Sequence, residues 1–144
     1  MSGGEVNPAN TIAYTVVEAV DYAGLIVTRG TTADYMVLAA DASADEPEGY
    51  TYTDSKKPST IGGASQTGQR VGIHALIEGQ IAEFVLPAAH DAISVGDRLC
   101  VSTGGTVIKY TSGASWVVGR ADEAIDQNAG GYVQVRVSKR YIAA

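Results

Sequence analysis

The chain of 144 residues is poor in the residue types on which cross-linking and much side-chain chemistry depend, with one cysteine, two histidines, one tryptophan and one phenylalanine. A single thiol, Cys100, excludes an internal disulfide framework. Within Arg98-Leu99-Cys100-Val101 it alternates with Leu99 and Val101 as on a strand, which reads as an inert, half-buried thiol and not as a nucleophile. Cations are scarce as well: ten Lys and Arg stand against sixteen Asp and Glu, for a formal charge of -6 and an isoelectric point near 4.7. Such a field repels phosphates, so direct binding of nucleic acid is not expected. No run approaches the ~20 apolar residues of a membrane span. Residues Met1 to Pro8 have neither a basic nor an apolar leader region, so no membrane or export segment is expected.

The signatures of catalysis are missing too. Gly63-Ala-Ser65-Gln-Thr67-Gly68 places its second glycine one residue too late for a nucleophile elbow and follows no buried strand, so it reads as a loop. No phosphate-cradling glycine motif occurs. For zinc the chain offers only His74, His90 and Cys100, without paired spacing, and strand and turn roles suit both histidines better. Asp122, Glu123 and Asp126 bunch without the alternation of a calcium loop and read as a solvated acidic turn. Glu83 interrupts an apolar strand between Ala82 and Phe84, which sets it outward or toward an interface. The expectation is therefore a protein that is not an enzyme, with no cofactor and no metal.

What is abundant is β-forming and turn-forming material. Hydrophobic residues make up 45% of the chain and charged residues 18%, with 17 glycines and 8 tyrosines. Such a chain buries a core, and its Val, Ile and Tyr suit pleated surfaces while Gly marks turns. One domain is expected from the length. Residues 1–11 are polar and carry Gly3, Gly4, Pro8 and Asn10, which predicts a flexible N-terminal arm before a β-domain over 12–144.

Strands are expected at Ile12–Val17, Gly24–Thr28 and Asp34–Ala40. An acidic break over Asp41–Gly49 then opens a long polar loop or insertion, 41–69. Arg70–Ile77 and Gln80–Leu86, joined at Glu78-Gly79, predict a hairpin. Pro87–Ile93 has room for one helical turn. Arg98–Ser102 and Thr106–Tyr110 predict a second hairpin about Gly104-Gly105. Trp116–Val118 and the strict alternation of Tyr132–Val137 complete about nine short strands, the pattern of an all-β sandwich or barrel. Lys139-Arg140 beside Tyr141 reads as a solvated tail or as a partner for acids on another subunit.

From about Gln69 to Val137 the chain resembles the decoration, or cement, proteins that coat the capsids of tailed bacterial and archaeal viruses. The pieces that carry the likeness include Val71-Gly72, Gly79-Gln80-Ile81 with Phe84-Val85-Leu86-Pro87, Val95-Gly96-Asp97-Arg98-Leu99, Gly105-Thr106-Val107, Val118-Gly119-Arg120-Ala121 and Val133-Gln134-Val135-Arg136-Val137. The Gly96-Asp97 turn alone also suits a lipoyl-type module, but the Gly104-Gly105-Thr106 turn lacks the lysine such a module presents.

The resemblance implies a single-domain β-sandwich or barrel of the β-tulip type, usually a homotrimer. It implies a virion protein, made in the host cytoplasm, that binds the outside of an assembled capsid and stabilises it by clamping neighbouring major capsid proteins. Under that reading Val6, Pro8 and Ile12 of the arm would be contacts, with Tyr50, Tyr52 and Trp116 as aromatic anchors; core packing is the competing role for the three rings. The rival readings are a carbohydrate-binding or adhesion module stacking sugars on Tyr and Trp, and a small trimeric β-barrel enzyme acting on nucleotides.

Overall fold

The computed structural model describes residues 11–16, 23–30, 35–51 and 70–143. Every regular element among them apart from one 3-10 turn is a strand. The first five, β1 (Thr11–Val16), β2 (Ile26–Arg29), β3 (Tyr35–Leu38), β4 (Gly49–Thr51) and β5 (Arg70–Ala75), close into a barrel in the order β1-β3-β2-β4-β5. Its pairs are antiparallel except β1 with β3, which run parallel. The next five, β6 (Ile81–Leu86), β7 (Arg98–Val101), β8 (Val107–Lys109), β9 (Ser115–Ala121) and β10 (Gly131–Ile142), form an antiparallel sheet in the order β6-β10-β9-β7-β8.

The all-β expectation holds, and the reason is visible in the burial. Along β6 and β10, alternate residues Ala82, Phe84, Leu86 and Val133, Val135, Val137 are buried while their neighbours face outward, as a period-two pattern requires when one face meets a core. Phe84, 0% exposed, lies in that core with Leu99, Val101, Val107 and Val118. The barrel adds Ile26 and Ala39 to the same cluster, so barrel and sheet share one interior. The β7–β8 turn presses on the barrel at Gly105, whose φ is +81° and where a Cβ would come within 2.8 Å of the Ile26 carbonyl oxygen. Only glycine fits both demands.

Four expectations need correction. The Glu78-Gly79 turn exists, but β5 and β6 do not pair with each other. Both edges of β5 are already taken, by β1 and β4, and a strand has only two. The chain therefore leaves the barrel at the turn, and residues 79 and 80 bond at once to Val137 of β10. Pro87–Ile93 contains no helical turn: Ile93 makes a two-way backbone bridge to Ile125, the Asn128 amide donates to the His90 carbonyl and the His90 amide donates to Asn128 Oδ1, so partners distant in sequence replace the i to i+4 bonds of a helix.

The polar stretch 41–69 is interrupted by β4, paired with β2 and β5; the part beyond Thr51 up to Gln69 lies outside the described residues. The final correction is at the C-terminus, where 138–142 continue β10 across a register shift after Val137 and are no solvated tail. The β7–β8 hairpin is as expected, closed by the 3-10 turn Thr103–Gly105.

Candidate assembly surfaces

Of the residues singled out as contacts, Val6, Pro8 and Tyr52 lie outside the described residues, as does the arm up to residue 10. Ile12 sits in β1, in register with Ile73 of β5. Tyr50 and Trp116 are described, and the fold puts them on different sheets. Tyr50, on β4, is half-buried and bridges the two halves. Its ring stacks on His74 at 5.3 Å and meets the edge of Phe84 at 5.3 Å. Burial pushes its phenol up, with a hydrogen bond to Gln80 working the other way. Tyr50 thus packs against the shared core.

Trp116, on β9, is also half-buried, but it packs against Tyr141 of β10 at 5.1 Å with the rings tilted by 56°. The Lys139 ammonium lies 5.8 Å from the Trp116 ring centroid, within cation–π reach. Lys139 also bonds the Glu46 carboxylate at 2.8 Å and the Pro47 carbonyl at 3.0 Å, and the Trp116 amide donates to the Ala42 carbonyl. Together these clasp the acidic 41–48 segment to the end of the sheet. That segment is itself ordered by side chains: the Asp45 carboxylate accepts the Ala40 and Asp41 amides, and Asp41 accepts the Ser43 hydroxyl and amide. The Ser43 bonds hold the Asp41 carboxyl below the usual carboxylate range.

The partner that the sequence reading missed is Tyr141, 46% exposed. Alternation along β10 breaks at the register shift between Val137 and Arg140, so period two counted from Val133 loses track of it.

A second surface lies where barrel and sheet meet. Leu25 and Leu38 from the barrel side, Val85 and Pro87 at the end of β6, Thr106 before β8 and Tyr132 on β10 line a mostly apolar cleft of about 600 Å³. On the other side of Tyr132 a smaller cavity of about 370 Å³ is bounded by Gly24, Tyr50, His74 and Glu83. Tyr132, 42% exposed, is the shared wall. A large amphipathic ring beside an apolar cleft is the kind of group that anchors a protein contact. Glu83 faces outward as expected.

The remaining chemistry-bearing residues take structural places. Cys100 is buried at 5% exposure, and that burial pushes its thiol up, which keeps it a neutral, poor nucleophile. His90 is buried, with Nδ1 2.8 Å from the Asp91 carbonyl and Nε2 2.6 Å from the Ala129 carbonyl. Asp97 shapes the turn before β7 by accepting the Ser94 amide, and it pairs with Lys109 at 3.5 Å. In the acidic turn, Glu123 accepts the Gln134 amide and Asp122 lies 3.9 Å from Arg136.

No protein-family model matches the chain, and no curated protein matches it in sequence. Among solved structures it is similar in fold to the head fiber gp8.5 N base of bacteriophage phi29. That likeness has a TM-score of 0.61 at 16% sequence identity and covers 93% of this chain and 98% of the other.

Proposed function

We propose that the chain is a structural protein of a virus particle, held on the outside of an assembled capsid. The observation that carries this reading is the fold likeness to the base of a phage head fiber, which extends over nearly the whole of both chains. Built contact surfaces support it: the apolar cleft beside Tyr132 and the Trp116–Tyr141 pair. The capsid resemblance of the sequence over 69–137 points the same way.

Under this proposal the protein clamps neighbouring major capsid proteins as a homotrimer. It stabilises the shell because it binds the assembled state and not the separate subunits, so its binding free energy adds to that state. Burial of Tyr132 and the cleft supplies the contact, and the arm, with Val6 and Pro8, adds surface or a strand to the partner. The carbohydrate-binding reading is less well served, because rings tilted by 56° at Trp116 and Tyr141 make no flat sugar platform.

Co-sedimentation with shells assembled from the major capsid protein of the virus that carries this chain tests the reading. The full chain is expected to pellet with shells and stay in the supernatant with unassembled capsid protein. Tyr132→Ser, and removal of residues 1–10, which leaves β1 whole, are expected to weaken pelleting without unfolding the domain. Unchanged pelleting by both variants would overturn the assigned contacts, and absence of pelleting by the full chain would overturn the function. Light scattering is expected to give the mass of three chains; a monomer at high concentration counts against the trimer.

A further inference from the structure

The outer face of the five-stranded sheet carries a concentration of positive charge at odds with the rest of this acidic chain. Strand register sets Arg98 of β7 opposite Arg120 of β9, and Arg120 opposite Arg136 of β10. All three are exposed, and Arg140 follows further along β10. Like charges directly opposed across strands oppose folding. Among the described residues the compensation is uneven. Arg136 pairs with Asp122 at 3.9 Å. Arg120 and Arg140 reach only neutral oxygens, the Gly96 carbonyl at 3.0 Å and the Ser138 hydroxyl at 3.2 Å. Arg98 has no acidic partner among the described residues.

The three guanidinium groups without a carboxylate are gathered around one hollow. Arg98, Arg120, Arg140 and Ser138 line a cavity of about 140 Å³ with Val117 and Gly119. The fold builds this hollow. The register shifts between Leu99 and Cys100 on β7 and between Val137 and Arg140 on β10 flank Gly119, and such irregularities re-aim side chains. Gly119 lends the hollow only its backbone; the Cβ it lacks would meet the Arg136 carbonyl oxygen at 2.2 Å and the buried Val135 side chain at 2.8 Å.

We propose that this hollow is a receptor for a single carboxylate, an Asp or Glu side chain presented by a protein partner. Arginine binds carboxylates through paired, charge-assisted hydrogen bonds, and Ser138 adds a neutral hydroxyl. A chain of phosphates suits the site less well. Asp97, next to Arg98 in the chain, and Asp122, paired with Arg136, bring negative charge to the surrounding segments, and the chain carries a formal charge of -6; both repel a polyanion beyond the first charge. The site is separate from the Tyr132 cleft and does not depend on the capsid reading.

Titration of the full chain with N-acetyl-glutamate amide, followed through the arginine Nε–H NMR signals, tests the proposal. Saturable shifts are expected at Arg98, Arg120 and Arg140 but not at Arg29, with no response to N-acetyl-glutamine amide. Arg98→Gln is expected to weaken binding about tenfold, the loss typical of a charge-assisted hydrogen bond, while its melting temperature stays equal or rises because a like-charge neighbour is gone. Equal shifts at Arg29, no saturation, tighter binding of inorganic phosphate, or a lower melting temperature for Arg98→Gln with binding intact would each overturn it.

Discussion

The barrel and the five-stranded sheet are built from the same kinds of residue by different means. No barrel strand exceeds six residues and β2, β3 and β4 are four, four and three long, whereas the sheet, short at β7 and β8, is built around β9 and β10 of seven and twelve. The sheet supplies most of the shared core, and the barrel sends in Ile26 and Ala39 while keeping a small cluster of its own about Val27 and Ile73. The lesson is one of dependence. Long strands with one buried face carry their own register, and short strands closed into a barrel lean on the sheet beneath them. The sheet also carries the surfaces with chemical character, the Tyr132 wall, the Trp116–Tyr141 pair and the arginine hollow.

The sharpest way to break this comparison is to empty the shared core. Phe84→Ala removes a ring with 0% exposure that also holds the edge of Tyr50, and should cost about 3–5 kcal/mol. In chemical denaturation, probes in barrel and sheet should move together to lower denaturant; a sheet that unfolds while the barrel stays put would show the two to be independent.

Next comes Gly119→Ala, which drives a methyl into the Arg136 carbonyl between two well-packed strands. A loss of about 1–3 kcal/mol is expected, read from the denaturation midpoint, with hydrogen exchange accelerated in β9 and β10 before the barrel. A smaller change belongs to the barrel's own cluster. Ile73→Val should cost about 0.5–1.5 kcal/mol, with faster exchange confined to the barrel strands. An equal effect in the sheet would contradict the dependence running from barrel to sheet.

The smallest effect is at the clasp. Lys139→Met removes a partly exposed ion pair with Glu46, a contribution of about 0–1 kcal/mol that salt should erase. Faster exchange of the 41–48 amides, with global stability almost unchanged, is the expected result.

These differences also explain what was legible in the sequence. Strands β6 and β10 and the β7–β8 hairpin could be read because one face is buried and the pairing is local or strictly alternating. Four of the barrel's strands could be read as well, but not its closure, since β4 is three residues beginning with a glycine and its partners β2 and β5 are distant in sequence. The supposed β5–β6 hairpin had a sound turn but ignored that β5 already had two neighbours. Tyr50 and Trp116 stand out in the sequence as large rings, yet their surroundings depend on Phe84 and Tyr141, brought up on other strands that no spacing rule reveals. The arginine row is invisible for the same reason: Arg98, Arg120 and Arg136 meet only once β7, β9 and β10 are in register.

Mass spectrometry of gradient-purified virus particles from cells producing this protein tests the central proposal most directly. The chain should be present in a fixed ratio to the major capsid protein and remain with the particles through washing. Its absence from intact particles, with the protein left free in the lysate, would contradict a place on the virion.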